Sequence, residues 1–199
     1  RSWGGDAACC DPGGGEIPPR CNSAQLTRVP GTHRNEAPHP RGSQCKSGIV
    51  GSFPALNARP EMELDRWLDR ITTELGEHDA NNPGKPSAPY AVNQIVHKSN
   101  NRLEHDVEMC VKWKVPIVIT SLGAREDVNE AIHSYGGIVL HDVINNKFAK
   151  KAVQKGADGI IAVAAGAGGH AGALSPFALV QEIREWFDGP LLLSGSISN

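Results

Sequence analysis

The sequence predicts an α/β fold on a parallel sheet, and three observations predict it. Short apolar runs alternate with segments of helical periodicity, at the spacing of about twenty to forty residues typical of βα units. Each run is continuously apolar, as strands covered on both faces are, rather than alternating. The loops after the runs are polar or glycine-rich, whereas the turns at the other end (residues 114–115, Gly136, Gly156, Gly189) are terse. Both an open doubly wound sheet and a (β/α)8 barrel bind ligands at the strand C-termini. The polar loops therefore mark an active-site face.

The elements follow in order from Gly48. Residues 48–52 form a first strand, and 61–77 carry Met62, Leu64, Trp67, Leu68, Ile71 and Leu75 near helical spacing. A strand at 90–93 precedes a helix at 103–113 with Val107, Cys110 and Val111 toward its inner side. Strands at 116–120 and 137–140 precede helices at 125–135 and 146–155. A fifth strand, 160–163, leads through a Gly/Ala loop to a helix at 177–187, whose start is signalled by Ser175-Pro176. A sixth strand occupies 190–194. Residues 1–44 show no period of 2 or 3.6 and recurrent Gly and Pro, so they read as a disordered or unrelated segment before the domain at 45–199.

Composition removes several function classes. With 20 basic and 22 acidic residues among 199, the net charge of -2 gives no argument for nucleic acid or an anionic membrane as partner. No apolar run is long enough to span a bilayer and no signal-peptide pattern is present, so a soluble cytoplasmic or organelle-lumen protein is the default expectation, cytoplasmic first. The start at Arg1 implies a processed, trimmed or incomplete N-terminus. Cys9, Cys10, Cys21 and Cys45 match no disulfide or zinc spacing and read as incidental; Cys110 reads as a packed core residue, and no metal is implied. Trp67, Trp113 and Trp186 read as helix packing, and the lysines of 147–155 as a solvated face.

The loop from Gly166 to Gly172 draws most attention. A buried strand, a glycine-rich turn and a helix start place bare N–H groups where a phosphate can approach, and His170 stands in that loop.

Taken together, Gly48-Ile49-Val50-Gly51-Ser52-Phe53-Pro54-Ala55-Leu56-Asn57, Val92-Asn93, His141-Asp142-Val143, Gly166-Ala167-Gly168-Gly169-His170-Ala171-Gly172 and Leu193-Ser194-Gly195 resemble nitronate monooxygenase, the 2-nitropropane dioxygenase-like family of FMN-dependent TIM-barrel enzymes. The resemblance runs from about residue 45 to 199. It implies an incomplete (β/α)8 barrel of about six units, strands two to seven of eight. The family's first unit, with its Pro-Met turn against the flavin, has no counterpart in 1–44, and its last unit, which helps hold the FMN phosphate, lies beyond Asn199.

The resemblance also implies roles. His170 corresponds to the histidine that takes the substrate α-proton or positions the nitronate, and an imidazole suits a base near neutrality. Gly168 and Gly169, with Ser194, Gly195 and Ser196, are the candidate phosphate contacts. Asn93 at a strand end matches the donor-acceptor edge of the flavin pyrimidine, with plain loop capping as an equal alternative, and Ser99 would extend that contact. His141 would offset charge on the reduced flavin, where some relatives carry Lys; Asp142 capping a helix or orienting His141 is an alternative of at least equal weight. The expected chemistry is oxidation of alkyl nitronates or nitroalkanes by dioxygen to a carbonyl compound and nitrite, with a homo-oligomer admitted. NAD(P)H:quinone reduction on the same scaffold and an inactive fragment with unpaired sheet edges are the alternatives.

Overall fold

The computed structural model of the chain describes residues 27–28, 39–169 and 171–195. Seven strands, β1 (Thr27–Arg28), β2 (Gly51–Pro54), β3 (Tyr90–Ile95), β4 (Ile117–Ser121), β5 (Ile138–Val143), β6 (Gly159–Val163) and β7 (Leu191–Ser194), form one sheet. Between them run α1 (His39–Lys46), α2 (Glu63–Asn81), α3 (Leu103–Lys112), α4 (Glu126–His133), α5 (Asn146–Gln154) and α6 (Pro176–Arg184).

All neighbouring strands are parallel and stand in chain order. A doubly wound sheet reverses direction at a switch point. This one does not, so same-handed crossovers put every helix on one face. The sheet curls into a partial TIM barrel, as the resemblance implies, and among the described residues β1 and β7 do not meet.

Strand parity sorts the apolar residues into two layers. Toward the helices, Phe53, Tyr90, Val92, Val118 and Val139 pack with Leu64, Trp67, Leu68, Ile71 and Leu75 of α2. The Phe53 and Trp67 rings meet edge to face at 5.9 Å. Each fully buried Leu or Ile of α2 contributes about 1.5–3 kcal/mol by leaving water. On the inner face, Val50, Ala91, Ile119, Leu140, Ile161 and Val163 form a second cluster. Gly159 belongs there too: a Cβ would come within 2.6 Å of Leu140 Cδ2, so only glycine lets that leucine lie across β6.

Six strands are those expected, with shifts that have physical causes. The first expected strand begins at Gly51 rather than Gly48 because Gly48 (φ +83°) and Ile49 close the end of α1, donating to the Cys45 and Gln44 carbonyls. Helix α2 runs on to Asn81, beyond the expected end at 77, through polar residues that carry no period. Pro176 starts α6 as expected, while the Ser175 side chain makes no cap bond. Two elements, β1 and α1, begin within the 1–44 segment; β1 pairs Thr27 with Gly51, and Cys45 of α1 is buried. Cys9, Cys10 and Cys21 lie outside the described residues.

Candidate active site

The C-terminal ends of the strands carry the polar groups. Asn93 on β3 and Ser121 on β4 share inner parity with Ala91 and Ile119, and Asp142 on β5 shares it with Leu140. These three side chains join across adjacent strands. Asn93 Nδ2 donates to Ser121 Oγ at 2.7 Å and to the Ile119 carbonyl at 3.2 Å. The Ser121 hydroxyl donates in turn to Asp142 Oδ2 at 2.7 Å. Asn93 is only 6% exposed, and its Oδ1 is buried without a hydrogen-bond partner. A buried unpaired acceptor costs about 1–3 kcal/mol, so a ligand that donates to it would recover that penalty.

His141 lies on the other face. It shares parity with Val139, which packs toward the helices, and its Nδ1 is bonded to Thr120 Oγ1. Burial lowers its pKa to about 4, so the ring is neutral near pH 7. The expectation that His141 offsets charge at the mouth is therefore corrected: the strand turns Asp142 inward and His141 outward. Ser99 is also apart, on an exposed turn where its Oγ meets His97 Nδ1 at 2.8 Å.

The loops after β6 and β7 are brought together. Ala164 N donates to the Ser194 carbonyl at 2.8 Å, and Ala165 N to that of Leu174 at 2.8 Å, folding the loop back over β6. Gly195 (φ +149°) fits against it, since a Cβ would stand 2.9 Å from the Ala165 carbonyl oxygen. Gly172 is tighter still: a Cβ would stand 2.1 Å from Val163 O. Gly168 and Gly169 face open space at their Cα positions. The structure thus joins Gly195 and the Ser194 backbone to the glycine-rich loop, while His170 and Ser196 lie outside the described residues.

The rim of this face is apolar. The exposed large hydrophobics Met62, Leu122, Ile144, Phe148, Leu174 and Phe177 all lie in loops after strands or in the helix turns next to them. Single exposed apolar residues are ordinary; among the described residues the large ones lie toward one end of the barrel.

A separate polar cluster lies on the helix side and is structural. Arg102 donates to Asp106 at 2.9 Å and to the Ala58 carbonyl at 2.7 Å; Asp106 is fully buried and also meets His105. Gln94 reaches the Cys110 sulfur at 3.3 Å, and burial pushes the Cys110 thiol up to about 12, leaving it inert. Among the described residues no three metal-ligating side chains cluster, and no helix is long and apolar enough to cross a membrane.

Sequence reading misses Ser121, which it leaves at the start of a loop. The signal lies in strand register: Asn93 pairs with Ile119, placing Ser121 two residues on, on the same face.

No protein-family model and no curated protein matches the chain. Solved structures share its fold. It is similar to nitroalkane oxidase from Streptomyces ansochromogenes, at 17% identity with a TM-score of 0.68, covering 86% of this chain and 58% of that one. It is also similar to FabK from Thermotoga maritima, at 22% identity with a TM-score of 0.67, covering 82% of this chain and 48% of that one. A mandelate oxidase point mutant is more distant, at 14% identity with a TM-score of 0.57, covering 86% of this chain and 57% of that one. The chain spans about half the length of the FabK and nitroalkane oxidase structures it matches, and at these identities the likeness establishes a partial TIM-barrel fold.

Proposed function

We propose that this chain forms part of an FMN-dependent oxidoreductase acting on alkyl nitronates or nitroalkanes. The observation that carries the reading is the orphaned, buried Asn93 Oδ1 on the inner face at the strand C-termini. The flavin pyrimidine edge offers an N–H donor suited to such an acceptor. The glycine-rich loop, with Gly195 packed against it, suits a phosphate. The fold shared with nitroalkane oxidase supports the substrate class, and the apolar rim suits an alkyl chain.

In this reading Asn93 holds the pyrimidine edge, and Gly168, Gly169, Gly195 and Ser196 approach the phosphate. His170 takes the α-proton of a neutral nitroalkane or orients the anionic nitronate. FMN, when bound, would supply electron transfer from substrate to dioxygen, with a carbonyl compound and nitrite as products. His141 and Ser99 have no part, because one faces the helices and the other is engaged on an exposed turn.

A second reading is that flavin is held only when further strands cover β7. It is favoured by Leu191, Leu192 and Leu193, which are only half-buried at an edge that pairs with no other strand among the described residues.

Reconstitution with FMN followed by turnover of a neutral nitroalkane tests the leading reading. His170→Asn should lower that turnover by about a hundredfold or more while leaving flavin bound. Unchanged turnover removes the base role, and a chain that takes up no FMN removes the leading reading.

A further inference from the structure

We infer that Ser121 and Asp142 are positioning residues that hold the Asn93 amide in one orientation, making its buried oxygen an obligate acceptor for a ligand N–H. The inference rests on the flavin reading and deepens it by assigning two further residues and a selection rule.

Hydrogen-bond direction fixes the amide. The Ile119 carbonyl can only accept, so the atom 3.2 Å from it must be the Asn93 nitrogen. That nitrogen also donates to Ser121 Oγ, which therefore accepts and must send its own proton elsewhere. Asp142 Oδ2 lies 2.7 Å from Ser121 Oγ and accepts the hydroxyl proton. Each bond fixes the sense of the next, from β5 through β4 to β3. Flipping the Asn93 amide would set its oxygen against the Ile119 carbonyl and against a hydroxyl whose proton is committed to Asp142. The buried Oδ1, on an inner-face residue, is left without a partner. A ligand that meets it must bring a donor; one that brings an acceptor or a methyl group leaves it unpaired.

The probes are FMN and its N3-methylated analogue, which lacks the imide N–H, titrated into the full chain and followed by flavin fluorescence. The wild-type chain should prefer FMN by about tenfold or more. In Ser121→Ala the amide loses the shorter of the two bonds that hold it and keeps only the one to the Ile119 carbonyl, so the preference should shrink to within about threefold. Ser121→Thr, which keeps the hydroxyl, should restore it. A merely structural role for Ser121 would weaken both ligands equally and leave the ratio unchanged, which overturns the proposal. Wild-type binding of both flavins with equal affinity overturns it while leaving the flavin reading intact. Absence of binding to either flavin overturns both.

Discussion

Ser121 and Asp142 are hydrogen-bonded at 2.7 Å on the inner face of the sheet, one residue beyond a pair, Thr120 and His141, bonded on the outer face. Neighbouring residues on two adjacent strands thus serve opposite layers. The inner pair belongs to the candidate site, and the outer pair ties β4 to β5 beneath the helix layer.

His141 makes stability depend on pH. Its folded pKa lies near 4, below the ordinary 6.5, because burial disfavours the charged ring. Above pH 6.5 the ring is neutral both folded and unfolded. Between 6.5 and 4 only the unfolded chain takes up the proton, so stability falls as pH falls. At about 1.4 kcal/mol per pH unit, that window is worth up to about 3 kcal/mol. Urea unfolding at about pH 7.5 and about pH 5 should show His141→Gln losing less stability on acidification than wild type. An equal loss in both contradicts the assignment.

Arg102 is the cation beside fully buried Asp106. Arg102→Met removes that partner and the bond to the Ala58 carbonyl, leaving His105 as the remaining partner of the carboxylate among the described residues. Breaking one side of such a pair costs about 3–5 kcal/mol. Denaturant titration should show a shift of that size, and Arg102→Met with Asp106→Leu should recover part of it.

Gly172 holds the glycine-rich loop against β6. A Cβ there would overlap the Val163 carbonyl, so Gly172→Ala must displace the loop. Under the proposed function, turnover of a neutral nitroalkane should fall by about tenfold or more, since a misplacement of about 1 Å can cost that much or more. Because Ala167 of the loop packs against the inner cluster, the thermal midpoint should fall as well. Full activity in the variant would contradict the placement.

Legibility in the sequence follows the physical signal. Continuous apolar runs such as 117–119 and 160–163 announce strands, and the α2 stripe announces a helix, because burial dictates residue type. Helix α1 carries no apolar stripe beyond Cys45, so nothing marks it. A strand covered on both faces has no polar-apolar alternation to show which way a residue points. Nothing in His141-Asp142 alone therefore reveals that the histidine turns to the helices and the aspartate inward. Asn93 is visible as a polar residue ending an apolar strand. Ser121 becomes meaningful only through its register with β3 and the neighbouring pairing of β4 with β5.

The central claim is that the inner face around Asn93 binds the pyrimidine edge of a flavin. Titration of the purified chain with FMN, read by quenching of flavin fluorescence, tests it most directly when paired with Asn93→Ala. Saturable quenching by wild type is expected, with an affinity about tenfold or more weaker in the variant. No quenching by wild type, or the same affinity in both proteins, would contradict it.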